Sequence, residues 1–76
     1  MQNFILRPAD EFIKLGQLLK AVGIAENGGE AKEMIVSGEV TVNGETEERR
    51  GRKLRAGDVV RCAGEEIKIE KPAEIE

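Results

Sequence analysis

Hydrophobic residues recur along this chain with two different periods, and the change from one to the other divides it. Leu15, Leu18, Leu19 and Val22 fall at i, i+3, i+4 and i+7, the spacing of a single helix face. Gly23 follows the last of them, where a left-handed C-terminal cap is expected, and Lys20 falls on the opposite, wet face. At about two turns, such a helix has to be held by packing rather than by its own propensity. A second helix is predicted from Asn27, which stands three residues before Glu30 in the spacing of a capping box, here in an Asn variant. Ala31, Met34 and Ile35 repeat the i, i+3, i+4 pattern and Gly38 closes it. Two short helices joined by a tight glycine-bearing link predict a helical hairpin or an angled pair.

From residue 40 the period becomes two. Val40 and Val42 alternate with Glu39 and Thr41, and Asn43-Gly44 is a two-residue turn signal because both positions tolerate positive φ. Glu45 and Thr46 begin a return strand, which the loop EERRGRK interrupts. Residues 54–58 form another turn around Gly57, and residues 59–62 and 67–69 read as strands joined across Ala63-Gly64. Near the N-terminus, Phe4, Ile5 and Leu6 and then Phe12 and Ile13 are apolar runs too short for periodicity to separate strand from helix. The predicted fold is α+β, with two short helices packed on a small bent antiparallel sheet. A single domain over residues 1–76 is expected, with its core motif at about 12–70 and residues 71–76 as a flexible polar tail.

Composition narrows the chemistry. A chain of 76 residues buries only about 60% of the surface its unfolded form exposes, which leaves a thin core and no room for a substrate domain. There is one cysteine, Cys62, and no histidine. That excludes an internal disulfide, leaves too few ligands for a structural zinc site, and removes the commonest general base near neutral pH. Cys62, within VVRC, reads as a small strand residue of a protein kept in a reducing cytoplasm. No apolar run approaches the roughly 20 residues of a membrane span, and the opening MQNFILRPAD lacks the pattern of a secretory signal. No catalytic residue, metal, cofactor or small-molecule substrate is expected.

The charge is where function shows. The net charge is −3, but Arg49, Arg50, Arg52, Lys53 and Arg55 lie together with no acid among them. The remainder of the chain is strongly acidic, carrying all 15 Asp and Glu residues. Such separation suits a focused phosphate-binding patch on a surface that discourages indiscriminate binding. Arg presents a planar fork of donors to phosphate, and Gly51 lets the backbone approach a ligand closely. A solvated loop that only aids solubility reads the same residues without a ligand. Gly28 and Gly29, in the first turn of the second helix, leave backbone N–H groups unshielded for an anion, with Lys32 alongside; the plainer reading is a tight inter-helix link.

The order and spacing of these features over residues 15–60 resemble the S4 RNA-binding domain. The matching residues are the first-helix leucines with Gly23, then Ala31, Lys32, Ile35 and Gly38, the strand VTVNG, and the closing Leu54, Gly57, Asp58 and Val60. The LGQLLK opening, the Gly-Gly before the second helix and the RRGRKL loop are further similar to small stand-alone bacterial S4-like proteins of the YbcJ/YaaA type. The resemblance implies an αL fold and binding of structured RNA, ribosomal or transfer, in ribosome assembly. Charge pattern, helix tip and resemblance together place the expected contacts on Lys20, Gly28, Gly29, Lys32, Arg49, Arg50, Arg52 and Lys53. The Ser-Arg pair that usually opens the second S4 helix is here Asn27-Gly28, so recognition shifts to Lys32 and the loop, with Lys14 or Lys20 standing in for the basic residue that often opens the motif.

Two other classes are weighed beside this one. A protein–protein adaptor would dock the basic loop on an acidic partner. A β-grasp sulfur carrier shares the VNG and GD turns but ends in Gly-Gly, whereas this sequence ends AEIE. With two Phe and neither Trp nor Tyr, no aromatic platform for single strands is expected. The expected protein is a cytoplasmic monomer that recognises RNA by shape and phosphate spacing.

Overall fold

In the computed structural model, which describes residues 2–72, the leucine stripe forms α1 (Leu15–Ala21) and the Asn27-capped segment forms α2 (Gly28–Val36). Leu15, Leu18 and Leu19 are fully buried, each contributing on the order of 1.5–3 kcal/mol relative to exposure. Gly23 ends α1 at φ 80°, and the Leu19 carbonyl accepts from the amides of Ile24 and Ala25, both at 3.0 Å. α2 starts where the Asn27 side chain accepts the Glu30 amide at 2.8 Å, buries Ala31 and Ile35 against α1, and stops at Gly38 with φ 85°.

The strands are β1 (Gln2–Ile5), β2 (Ile13–Lys14), β3 (Thr41–Val42), β4 (Glu45–Thr46), β5 (Lys53–Leu54), β6 (Val59–Cys62) and β7 (Glu65–Glu70). Five of them make one sheet in the order β1-β7-β6-β3-β4. Both expected hairpins are present. Asn43-Gly44 turns β3 into β4 with φ 53° and 86°, and Ala63-Gly64 turns β6 into β7 with φ 54° and 79°. Val42, Val60 and Ile67 stand in one register row across three strands, and all are buried. That row continues the core begun by the helix leucines.

The α+β expectation holds, with two corrections. The sheet is mixed rather than antiparallel, because β1 lies parallel to β7, with Gln2 opposite Ile67 and Ile5 opposite Glu70. Parallel neighbours need a long crossover, and here the crossover is the whole chain between them. The pairing lets Leu6, just beyond β1, donate its amide to Glu70 O at 2.8 Å and bury its side chain. The second correction is a separate two-stranded antiparallel ribbon of β2 and β5, with Ile13 opposite Leu54 and Lys14 opposite Lys53. Leu54, expected to open a turn, is instead a fully buried strand residue. Of the tail expected at 71–76, Lys71 and Pro72 lie outside any strand, and residues 73–76 lie outside the described residues.

Candidate functional site

The basic loop is held to the start of α1 because α1 caps itself only in part, Gln17 Oε1 accepting the Lys14 amide at 3.3 Å. Its N-cap residue is Lys14, whose side chain offers no acceptor, so the first-turn amides need partners from elsewhere. The loop supplies them: Leu15 N–H donates to the Arg52 carbonyl at 2.9 Å and Gly16 N–H to the Arg50 carbonyl at 3.0 Å. The loop packs closely here: a Cβ at Gly16 would stand 3.5 Å from Arg50 O, in ordinary contact, with little space beyond it.

A second anchor comes from Glu47, the buried charged residue of the described chain, at 7% exposure. Its carboxylate accepts from Arg49 N, Nε and Nη2 at 3.2, 3.0 and 3.2 Å and from Arg52 Nη1 at 2.7 Å. The hydrogen bonds from Arg49, then from Arg52, hold its carboxyl down at about 2 against the opposing effect of burial. Five cations clustered in the sequence are therefore not five equivalent cations in the fold. Arg49 and Arg52 share a carboxylate, while Arg50 has no ion-pair partner among the described residues.

Anchored in this way, the loop presents two faces. On one, Arg50 and Gly51 join Lys14, Gly16, Gln17 and Lys20 of the α1 region and Gly28, Ala31 and Lys32 of α2 around a cleft of about 210 Å³. Four cations line it and no acid does. Lys14, Lys20 and Lys32 are all exposed, so their charged ends reach solvent. On the other face, Arg49, Gly51, Arg52, Lys53 and Arg55 line a shallow depression.

The structure thus brings Lys20, Gly28, Lys32 and Arg50 together in one cleft, while Arg49, Arg52 and Lys53 line the second depression, which shares Gly51 with it. Gly29 stands exposed at the tip of α2, outside the lining of the cleft. Nothing lies within 4 Å of where a Gly28 Cβ would be, so internal packing does not demand a glycine there. Glu30 N–H goes to the Asn27 side chain and Ala31 N–H to the Asn27 carbonyl, which leaves the Gly28 and Gly29 amides as the donors at the helix tip. Sequence reasoning named Lys14 only as an alternative to Lys20, whereas both line the cleft, and it missed Gly16 as the docking point and Glu47 as the clamp. Gly16 gave a weak signal, as a glycine set inside an otherwise leucine-rich helical pattern.

Elsewhere the chemistry is quiet. Cys62 is buried in β6, and burial, followed by the charge of Glu39, pushes its thiol up and away from reactivity. Among the described residues, no cluster of three His, Cys, Asp or Glu is placed to hold a metal, and no helix is long and apolar enough to cross a membrane.

Comparison with known proteins adds to this geometry. A family model described as the S4 domain matches residues 6–70. The chain is 50% identical over 54 residues to a Bacillus subtilis (strain 168) protein named "Probable ribosome maturation protein RlbA", covering 71% of this chain and 76% of that one. It is 39% identical over 57 residues to YbcJ of Escherichia coli (strain K12), covering 75% of this chain and 81% of that one. The solution structure of E. coli YbcJ, described as revealing an αL motif involved in RNA binding, matches with a TM-score of 0.68 at 36% identity, over 92% of this chain and 87% of that one.

Proposed function

The chain belongs to the S4 domain family, and from that membership we propose that it is a non-catalytic module that binds structured RNA. The observation that carries this reading is the acid-free cleft of Lys14, Lys20, Lys32 and Arg50 on a chain whose net charge is −3. Charge of one sign, gathered where a loop and two helices meet, fits a run of backbone phosphates. The amides at the tip of α2 add donors suited to a phosphate oxygen. Recognition runs by shape and phosphate spacing, since A-form grooves hide most base identity. The Bacillus subtilis relative, named for ribosome maturation, supports ribosomal RNA or a ribosomal particle as the target class. The protein acts as a cytoplasmic monomer.

The contact set is Lys20, Gly28, Gly29, Lys32, Arg49, Arg50, Arg52 and Lys53, with Lys14 added and with Arg50 and the two helix lysines foremost. Titration of a structured ribosomal RNA fragment over a range of salt tests it. Neutralising three or four phosphates gives a slope of log K against log[salt] of roughly −2 to −4. Combined Lys20→Ala, Lys32→Ala and Arg50→Ala substitution removes most of that slope while the thermal transition stays in place. A variant that binds as the parent does would reject the site. Binding to an acidic protein but not to RNA would favour an adaptor instead.

A further inference from the structure

Only two aromatic residues serve the whole chain, and they are used differently. Phe4 packs against the buried core cluster, while Phe12 is not part of it. Phe12 directly precedes β2, and the β2–β5 register of Ile13 with Leu54 and Lys14 with Lys53 extends one step to set Phe12 opposite Arg55. Side chains alternate across a strand, so Ile13 and Leu54 face inward. Phe12, Lys14, Lys53 and Arg55 share the outer face of the ribbon. The contacts agree with this placement: Lys53 Nζ lies 4.9 Å and Arg55 Cζ 5.8 Å from the Phe12 ring centroid. Both fall within the range of cation–π attraction.

The ring is half-buried and forms part of the wall of an open groove of about 730 Å³, whose lining also holds Leu6, Arg7, Lys14, Gln17 and the acids Asp10 and Glu11. Lys14 and Gln17 line the cationic cleft as well, so the two spaces adjoin along one wall. A strand whose phosphates lie in the cleft passes within reach of the groove.

Resting on the RNA-binding reading above, we propose that Phe12 is a stacking site for one unpaired RNA base, with Lys14, Lys53 and Arg55 holding the phosphates on either side of it. A base offers a flat π-face to the ring and carries its own anions to the flanking cations, which matches an aromatic set in a cationic ribbon better than any neutral ligand does. A lone ring is no platform for a run of single strand. It suits a single bulged or looped-out nucleotide in otherwise folded RNA, where sequence and shape are most accessible to a protein. The shape reader thereby gains a preference for stems interrupted by an unpaired residue.

The test uses two RNA hairpins that are identical except for a single bulged adenosine. The full-length protein is expected to bind the bulged hairpin roughly tenfold more tightly, within the range of base–aromatic stacking. Phe12→Leu keeps an apolar side chain and is expected to erase that difference while leaving affinity for the perfect stem within about twofold. Phe12→Trp is expected to retain the preference. Because the chain has no other Trp or Tyr, its indole fluorescence reports stacking directly, quenched by the bulged hairpin and not by the perfect one. Equal binding of the two hairpins by the native protein overturns the proposal, and so does a Phe12→Leu variant that weakens both alike. If neither hairpin binds, the RNA reading itself falls and this inference goes with it.

Discussion

The Gly16 amide donates to the Arg50 carbonyl at 3.0 Å, and this bond, between the first turn of α1 and the middle of the basic loop, places Arg50 over the cleft. It completes a helix whose own N-cap residue, Lys14, has no acceptor to offer. One hydrogen bond thus serves two purposes: it satisfies an orphan helix amide and sets the position of a cation 34 residues further along the chain.

Gly16 is the position at which that arrangement can be loosened. A Cβ would meet Arg50 O at 3.5 Å and Arg50 Cβ at 3.6 Å, ordinary contact distances. Gly16→Ala is therefore expected to fold with stability raised by up to about 0.5–1 kcal/mol, from the lower helix cost of alanine. Gly16→Val adds atoms that the Arg50 backbone cannot accommodate, and overpacking costs about 1–3 kcal/mol. Urea denaturation should rank the three proteins Ala, Gly, Val. RNA titration should show Val, but not Ala, losing part of the salt dependence as the loop lifts.

Glu47 makes the loop sensitive to acid. Its carboxyl is held at about 2 against an ordinary 4.5. A lowered value stabilises the fold fully above the ordinary one, and that stabilisation drains away as pH falls from about 4.5 towards 2. Glu47→Gln keeps an acceptor but loses the charge. Near neutral pH it should cost about 1 kcal/mol, below the usual range for charged hydrogen bonds because solvent screens the largely exposed Arg49. The difference between native and variant urea midpoints is expected to be constant above pH 5 and to narrow below it. A gap that ignores pH would show that the Glu47 charge does not hold the loop.

The parts of the fold that were legible in sequence were the local ones. The stripe of Leu15, Leu18 and Leu19, the Asn27 cap and the Asn43-Gly44 turn each depend on neighbours within a few residues, and each is where periodicity or turn chemistry put it. The parallel pairing of β1 with β7 and the β2–β5 ribbon join segments some 40 to 65 residues apart. Segments as short as Ile13–Lys14 carry no pattern that names a partner. The same limit applies to the site. Lys20, Gly28 and Lys32 could be read from the helices that carry them, but which face of the loop each arginine takes depends on where its backbone docks. A count of five adjacent cations also passed over Glu47, two residues upstream of Arg49, because a sequence does not show which acid will be folded inward among the bases.

Asn43 separates stability from binding. At φ 53° it occupies the left-handed region, its Nδ2 donates to Asp58 Oδ1 at 3.0 Å, and its Oδ1 accepts from Val59 N at 2.9 Å. Asn43→Ala loses both bonds and keeps a Cβ in that strained region, for an expected cost of about 2 kcal/mol. Asn43→Gly loses the bonds but relieves the backbone and should cost roughly half as much. Denaturant titration should recover that order. The turn lies away from the cationic cleft, so the salt slope for RNA is expected to be unchanged in both variants at temperatures where they remain folded.

Neighbouring arginines should differ in how much they matter to an RNA backbone, and the difference can be measured at Arg49 and Arg50. Arg49 gives its Nε and Nη2 to Glu47, so a phosphate that recruits it must compete with a carboxylate already in place. Arg50 faces the acid-free cleft beside Lys20 and Lys32 and has no such competitor. A cation contributes to the salt slope through the counterion its phosphate contact releases. Arg50→Ala is accordingly expected to reduce the slope of log K against log[salt] by about one. Arg49→Ala should reduce it by clearly less and should lower the urea midpoint, because it strips Glu47 of the bonds that keep a buried carboxylate ionised. If the two substitutions reduce the slope equally, Glu47 does not withhold Arg49 from the RNA, and the two faces of the loop would have to be treated as one surface.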